Sequence, residues 1–322
     1  MSMSSLKSVN VQPNSSFAVC PLWQTVFKKE RLILDTSNTL KIHLDRVTAS
    51  QVTGKHVATG LTISGQIMMI EDIYDTKRRR NVLHVHRLHD QWRTTTIVAQ
   101  AEIDFSYVDS FSDGRILLVA SRCDDDVDGS WLPNAFIYDQ AGHLLDSYCL
   151  DDGIQNVHVD EKNQIWVSYF DEGVFADSAT TSIGSFGLAV FDEFGQVIFK
   201  NKDYPIDDCY ALNVCGSDDA WFFYHPDYRV VHLQGERSTS YQVPTRHFSD
   251  FVVQGEYLIS TDNEHTYLLQ QEGDTYIEKA RILFESEKGT PLQGTIKMRQ
   301  NRIVLSTDTR LYAGTFTDFV PE

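Results

Sequence analysis

Short apolar stretches recur along the chain, and each one follows a polar or glycine-containing turn. In the clearest unit, apolar and polar residues alternate over 154–159, a polar turn follows at 160–163, and an apolar stretch follows at 165–170. Alternation with a period of two indicates a half-buried strand, and the turn between the two stretches indicates a β-hairpin. No stretch longer than one turn has the 3.6-residue period of a helix, so the pattern predicts an all-β protein.

The turn followed by an apolar strand occurs seven times. The repeats lie at residues 30–34, 65–69, 114–118, 163–167, 218–222, 255–259 and 301–305. Their mean spacing is about 45 residues, which is the period of a four-stranded propeller blade. Further strand-turn-strand signals at 136–143, 188–195 and 267–274 supply third and fourth strands. The sequence therefore predicts one domain over residues 1–322, a seven-bladed β-propeller with four-stranded antiparallel blades.

The last repeat leaves room for only one more strand, at residues 309–316, so its blade lacks a strand. The alternating segment at residues 6–11 is the natural candidate to supply it. Pairing the two ends of the chain would close the ring and remove exposed strand edges. We therefore predict that the ring is closed by this N-terminal strand.

The blade period and the repeated turn with its apolar strand resemble the seven-bladed β-propeller superfamily over the whole chain. The Trp-Asp and Gly-His signatures of WD40 repeats are absent, so the resemblance to WD40 proteins is one of architecture only. Residues 152–175 and 207–214 resemble uncharacterised bacterial propeller proteins. This resemblance implies a fold and no activity.

The formal net charge is −17, from 45 acidic and 28 basic residues. A chain of this charge repels nucleic acid and anionic membrane surfaces and attracts basic proteins. No apolar run approaches the roughly 18 residues of a membrane helix, and the polar N-terminus lacks the layout of a secretion signal. We expect a cytoplasmic protein that binds neither nucleic acid nor membranes. Its five cysteines form no CxxC pair and are expected to be reduced thiols.

Acidic residues concentrate in the predicted connections that share one face of a propeller, namely those from second to third strand and those between blades. All seven second-to-third connections contain an acidic residue. The preference of Asp for turns accounts for single residues but less well for clusters. We therefore predict an acidic partner-binding face with aromatic anchors. Its candidate residues are Asp124, Asp125, Asp126, Asp171, Glu172, Phe175, Asp207, Asp208, Tyr224 and Asp227.

The main functional prediction is non-catalytic binding of a basic protein partner, without a cofactor. A concrete version is neutralisation of a basic toxin, an immunity-like role in which charge attraction speeds association. The alternative is a metal-dependent hydrolase similar to propeller lactonases and esterases, with calcium or another divalent cation at the central channel. The candidate ligands for that cation are Asp152, Asn156, Asp208 and Asn213.

Three further patterns carry weaker predictions. Residues 124–129 match the opening of a calcium loop, but its closing position is Ala135 instead of Glu. His84 and His86 lie two apart on a predicted strand, a spacing compatible with zinc, although a polar outer face is the favoured interpretation. The basic run at residues 77–80 is expected to be solvated or paired within the chain.

Overall fold

The structure is a computed structural model that describes residues 38–77, 79–89, 92–98, 103–124, 131–176, 182–244 and 247–316. The described residues belong to one unit, Arg31–Glu322, and a single domain over residues 1–322 stays a prediction. Nearly all of the regular structure is β-strand. Within the described residues, no helix has the length and apolar character needed to cross a membrane.

The strands form blades of four antiparallel strands each. Blade 1 contains β2 (Lys55–Leu61), β3 (Ile67–Asp75), β4 (Arg80–Leu88) and β5 (Arg93–Val98). Blade 2 contains β6 (Phe105–Ser110), β7 (Ile116–Ala120), β8 (Ala135–Tyr138) and β9 (Leu144–Tyr148). Blade 3 contains β10 (Ile154–Val159), β11 (Ile165–Tyr169), β12 (Leu188–Phe191) and β13 (Val197–Lys200). Helix α1 (Asp171–Val174) and a 3-10 turn (Gly184–Phe186) lie between β11 and β12.

The remaining blades follow the same order. Blade 4 contains β14 (Asp208–Gly216), β15 (Asp219–His225), β16 (Arg229–Gln234) and β17 (Arg237–Gln242). Blade 5 contains β18 (Asp250–Gln254), β19 (Tyr257–Thr261), β20 (Thr266–Glu272) and β21 (Thr275–Ser286). Blade 6 contains β22 (Thr295–Arg299), β23 (Arg302–Ser306), β24 (Leu311–Thr315) and, from the other end of the sequence, β1 (Thr39–Arg46).

The core lies between neighbouring blades, because each sheet buries both of its faces. Strand β7 shows this clearly, since all of its residues are buried. Its residues Leu117 and Val119 pack toward blade 3, whereas Ile116 and Leu118 pack toward blade 1. Burial on both faces explains why the second strand of each blade reads as a continuous apolar stretch and not as an alternation.

The described residues form a closed ring of six blades, so the predicted count of seven is wrong for this part of the chain. The first strands of the blades contact one another in the cycle β2, β6, β10, β14, β18 and β22 and back to β2. A hydrophobic cluster that joins Val304 and Leu311 of blade 6 to Leu61 and Met69 of blade 1 completes the ring. The seventh predicted repeat, at residues 30–34, lies outside the described residues. The four-stranded propeller architecture is confirmed.

The ring closes through β1, which corrects the predicted closing segment. β1 pairs antiparallel with β24 and, on its other side, parallel with β21. Its alternating residues Leu40, Ile42 and Leu44 are buried between blades 5 and 6. β24 therefore has β23 and β1 as its two neighbours, and the predicted closing segment at residues 6–11 lies outside the described residues. Closure by a strand that precedes blade 1 was nevertheless correctly predicted.

Aspartates hold several of the tight turns that the sequence pattern signalled. In the turn between β10 and β11, the Asp160 carboxylate accepts the backbone N–H groups of Lys162 and Gln164 and the indole N–H of Trp166 at 3.0 Å. Asn163 in this turn has a φ of 62°, a left-handed conformation that Asn tolerates better than most residues. Such turns account for part of the acidic content without any binding function.

Candidate functional site

One face of the propeller carries most of the predicted site residues. Consecutive strands in each blade are antiparallel, so the connections from second to third strand lie at the same end as those between blades. We call this end the upper face. The Phe170 N–H donates to the Gly153 carbonyl at 2.9 Å, which joins a second-to-third connection to a between-blade connection.

Several acidic residues of the upper face serve the fold. Glu71 is buried and accepts hydrogen bonds from the Thr53 N–H at 2.7 Å and from His86 at 2.9 Å. Burial alone would raise the pKa of Glu71, but the hydrogen bonds from Thr53 and His86 lower it below its usual value. Asp151 is also buried and accepts the Gly184 N–H and the Ser182 hydroxyl. Turn and loop stabilisation therefore explains these carboxylates.

The residues predicted in blade 2 are only partly described. Asp124 is exposed, whereas Asp125, Asp126 and the rest of the predicted calcium loop through Gly129 lie outside the described residues. The partner-binding role of this loop therefore stays a prediction.

Blades 3 and 4 bring the other predicted residues into one region, which we call the acidic sector. It contains Asp171, Glu172, Phe175, Asp207, Asp208, Tyr210, Asp227 and Tyr228. Helix α1, which begins at Asp171, contacts β14, which begins at Asp208. The sector therefore combines the second-to-third connection of blade 3 with the entry into blade 4.

Asp208 is the most perturbed carboxyl group in the acidic sector. Its side chain is about half buried, and its buried Oδ1 atom has no hydrogen-bond partner among the described residues. Burial, and then the nearby negative charge of Asp171, raise the pKa of Asp208 to about 7. A carboxylate in this environment is destabilised by lost hydration and by like charge, and a cation beside it would relieve both effects.

The neighbouring charges are partly compensated. Arg122 pairs with the buried Asp152 at 3.0 Å and with the exposed Glu172. Asp207 lies 3.6 Å from His225. No basic partner is recorded for Asp171 or Asp208 among the described residues. Asp171 and Asp208 therefore contribute unbalanced negative charge to the sector.

Tyrosine side chains lie near Asp208. The Tyr210 ring lies 5.8 Å from Phe223 and 5.9 Å from His247, and the Tyr228 ring lies 5.2 Å from His225. Burial and the charges of Asp208 and Asp171 raise the pKa of Tyr210. These rings provide an apolar wall beside the carboxylates.

Phe175 and Tyr224 have different positions relative to this wall. Phe175 remains 64% exposed on the connection after α1. Tyr224, predicted as a binding residue, is 1% exposed and therefore cannot contact a partner directly. Its hydroxyl donates to Asp227 at 2.7 Å, so it positions the exposed carboxylate of Asp227. The sequence pattern missed this, because Tyr224 is the last of five consecutive buried residues in β15 and lies next to the predicted connection.

Three of the four candidate metal ligands are held by different neighbours. Asp152 pairs with Arg122, and the Asn156 amide donates to the Ser168 hydroxyl at 3.3 Å. The Asn213 amide exchanges two hydrogen bonds with the backbone of Gln300. No group of three or more His, Cys, Asp or Glu side chains arranged for a metal ion occurs in the described part of the chain. A metal site formed by Asp152, Asn156, Asp208 and Asn213 stays a prediction.

The His84 and His86 pair is likewise part of the fold. His86 is 1% exposed, and its two ring nitrogens contact Glu71 and Thr95. Burial, together with the Arg93 charge, lowers the pKa of His86. Of the basic run at residues 77–80, residue 78 lies outside the described residues, and Lys77, Arg79 and Arg80 are exposed.

A buried arginine closes the lower part of the central channel. Arg299 of β22 is 1% exposed and donates to the carbonyls of Leu61, Val159 and Val214 at 2.7, 2.6 and 3.3 Å. It also pairs with the buried Asp109 carboxylate at 2.7 Å. One side chain from blade 6 therefore binds the first strands of blades 1, 2, 3 and 4.

Above this plug lies a cavity of about 30 Å³, lined by the first strands of five blades. Asp250 and Lys297 lie on opposite sides of one blade interface in its wall. Burial raises the pKa of Asp250 to about 7, partly opposed by Lys297. Even a benzene-sized ligand needs about 150 Å³, so this cavity has room for water or a small ion and not for an organic substrate.

Sequence reasoning missed the residues that become important only across blades. Arg299, Asp109 and Asp250 gave no local signal, because a charged residue within an alternating strand reads as a solvent-facing position. In the structure, all three lie in the first strands of the blades, which face the central channel. Their side chains are therefore buried instead of exposed to solvent.

Comparison with known proteins gives the fold and no activity. The YxzG family matches residues 182–314, which is less than half of the chain. No curated protein matches the chain. Solved structures match over most of its length. The U3-55K structure shares 9% identity over 81% of this chain and 95% of its own, with a TM-score of 0.51.

The RRP9 WD40 repeats share 9% identity over 83% of this chain and 99% of their own, with a TM-score of 0.51. A gluconolactonase from Xanthomonas campestris shares 10% identity over 82% of this chain and 96% of its own, with a TM-score of 0.44. At these identities the likeness shows a β-propeller of WD40-like architecture and nothing about chemistry.

Proposed function

We propose that this propeller binds a basic segment of a protein partner through the acidic sector of its upper face. The observation that carries the proposal is the pair of Asp171 and Asp208, two carboxyl groups without a recorded basic partner. Asp208 has a buried oxygen that accepts no hydrogen bond and a pKa raised to about 7 by burial and by Asp171. A lysine or arginine side chain placed between them would supply the missing donor and the missing charge.

The surroundings of this pair suit a long cationic side chain. Its methylene groups would lie against Tyr210 and Tyr228, and its charged end would reach the carboxylates. Phe175, which is largely exposed at the border of the sector, adds an apolar contact for a flanking residue. Aromatic anchors next to charged groups are typical of binding hot spots.

A partner with a basic surface would also be attracted by the net charge of −17. A basic enzyme such as a nuclease toxin is one partner of this kind, and neutralising it would give the propeller an immunity-like role. The competing proposal, a metal-dependent hydrolase at the channel, has less support. Three of its four candidate ligands, Asp152, Asn156 and Asn213, are held by other groups, and the channel cavity is too small for an organic substrate.

The test uses an array of short peptides, each with one central lysine or arginine in varied neutral sequences. Matched peptides carry acetyl-lysine or citrulline at the same position, which removes the charge and preserves most of the shape. We expect the folded protein to bind a subset of the charged peptides and not to bind the matched neutral peptides. Fluorescence anisotropy then measures the dissociation constants of the bound peptides at low and moderate salt.

The variant D171N/D208N is expected to weaken the binding of these peptides at least tenfold. The control variant D308N removes an exposed charge from blade 6 on the same face and should change the dissociation constants less than twofold. Binding should also weaken about tenfold from pH 8 to pH 6, because a group with a pKa of about 7 is largely protonated at the lower pH. Equal binding of charged and neutral peptides, or equal effects of the two variants, would refute the proposal.

A further inference from the structure

Two cysteines that are far apart in the sequence meet on the upper face of blade 2. Cys123 lies in the connection after β7, and Cys149 directly follows β9. Their Sγ atoms are 3.5 Å apart, and both residues are partly exposed. The sequence spacing of 26 residues gave no indication of this pair, which arises because the second-to-third connection of blade 2 lies beside the connection into blade 3.

The backbone around the pair is fixed on both sides. The Cys123 N–H donates to the Asp152 carboxylate at 2.7 Å. The Asn134 side chain accepts the Leu150 N–H and donates to the Asp151 carbonyl, both at 2.9 Å. These bonds hold Cys123 and the two residues that follow Cys149 in place. A bond between the two sulfurs requires them to approach by about 1.5 Å, to the usual disulfide length, which side-chain rotation can supply.

The two thiols are not equivalent. The Asp151 N–H donates to the Cys149 Sγ at 3.2 Å, a contact that favours a thiolate at Cys149. Hydrogen bonding from Cys123, and then this backbone N–H, lower the pKa of Cys149, although burial opposes them. The same sulfur contact and burial raise the pKa of Cys123. Since the thiolate is the nucleophile, Cys149 is the attacking thiol and Cys123 the second thiol.

We propose that Cys123 and Cys149 form a dithiol-disulfide redox site that reacts with low-molecular-weight disulfides. In the first step, the Cys149 thiolate bonds to one sulfur of the small disulfide, whose S–S bond breaks and releases one thiolate. In the second step, Cys123 loses its proton and attacks the Cys149 Sγ, and the second small thiolate leaves. Two electrons pass from the protein to the small disulfide, which is reduced to two thiols.

The other two cysteines of the described part of the chain provide matched controls. Cys209 is buried, and burial raises its pKa. Cys215 is partly exposed like the reactive pair, but burial raises its pKa to about 12. Its Sγ contacts the Asn213 oxygen at 3.8 Å. Exposure alone therefore does not distinguish Cys215 from Cys149. The two differ in their sulfur contacts, since Cys149 accepts a backbone N–H and Cys215 lies against an amide oxygen.

The experiment incubates the native protein with oxidised glutathione, blocks free thiols, and maps the peptides by mass spectrometry without reduction. We expect a single crosslink between Cys123 and Cys149 that a reductant reverses. The variant C123S should stop at a glutathione mixed disulfide on Cys149. The variant C149S should form no crosslink and react at Cys123 at least tenfold more slowly, and C215S should behave like the native protein.

The proposal is overturned if the native protein forms no crosslink between these two cysteines. It is also overturned if the mixed disulfide in C123S forms on a cysteine other than Cys149. The mapping of the native protein requires no variant to fold, and circular dichroism of each variant verifies its fold. Because the readout is covalent chemistry, the outcome is independent of the proposed function at the acidic sector.

Discussion

Arg299 offers the sharpest test of how this ring is held together. The change R299M removes the guanidinium while keeping an unbranched apolar side chain of moderate length. It leaves the Asp109 carboxylate, which is 3% exposed, without its ion pair, and it leaves the carbonyls of Leu61, Val159 and Val214 without this donor. Breaking one partner of a buried pair costs about 3–5 kcal/mol, and we expect a loss of stability in that range.

The measurement is urea and thermal unfolding followed by circular dichroism. A loss of about 3–5 kcal/mol corresponds to a decrease in Tm of roughly 6–20 °C, on the scale of about 2–4 °C per kcal/mol for large domains. The control R237M removes an exposed arginine from β17 and should change stability by less than about 0.5 kcal/mol. The double variant D109N/R299M should be less destabilised than the sum of its single changes, by about 1–3 kcal/mol.

The pH dependence of R299M supplies an independent check. Burial raises the pKa of Asp109 in the native protein, opposed by Arg299 and by the Val159 N–H. Without Arg299, the folded-state pKa of Asp109 should rise further above its value in the unfolded chain. The folded protein then binds the extra proton, so the defect of R299M should be larger at pH 8 than at pH 5. A loss below about 1 kcal/mol, or strictly additive changes at these two positions, would refute the role of the ion pair.

Three further predictions concern single sites. The folded-state pKa of Asp208 is raised to about 7, so the contribution of Asp208 to stability falls as pH rises from about 4 toward 7. The variant D208N should therefore stabilise the protein by about 1 kcal/mol at pH 8 and by less at pH 5, as measured by urea unfolding. The variant G60A should lose about 1–3 kcal/mol, because a Cβ at Gly60 would lie 1.9 Å from the Val108 carbonyl oxygen where β2 and β6 approach. The variant D160A should lose about 2–3 kcal/mol and alter the near-ultraviolet signal of Trp166, whose buried indole N–H loses its acceptor.

Each of these predictions has its own opposing result. Equal stability of D208N and the native protein at both pH values would mean that Asp208 is not perturbed. A stable G60A would mean that the first strands of blades 1 and 2 can separate without loss. An unchanged tryptophan signal in D160A would mean that the indole N–H finds another acceptor.

The repeats show how far local pattern reaches. Six of the seven predicted turn-strand repeats correspond to second strands of blades, because burial on both faces imposes an apolar stretch that the sequence displays directly. The seventh predicted repeat, at residues 30–34, lies outside the described residues, and the described ring contains six blades. The closing strand was assigned to residues 6–11 although Leu40, Ile42 and Leu44 carry the same alternation, and alternation alone does not select a partner strand.

The acidic sector was partly predictable for the same reason. Asp171, Glu172, Phe175, Asp207 and Asp208 fall in connections whose side of the propeller follows from strand order. The sequence showed their residue types and their face of the propeller. It did not separate Asp208, whose Oδ1 accepts no hydrogen bond from the described residues, from Asp152, which Arg122 neutralises. That difference depends on which side chain of a neighbouring connection reaches each carboxylate.

The amino-acid sequence by itself determined the strands, their turns and the propeller architecture, because these depend on periodicity and turn chemistry within a few residues. The tertiary structure alone decided the number of blades in the described ring, the strand that closes it, the Arg299 plug, the perturbed Asp208 and the meeting of Cys123 with Cys149. All five depend on groups that lie far apart in the chain and become neighbours only when blades pack side by side, where burial and nearby charge change what each side chain does.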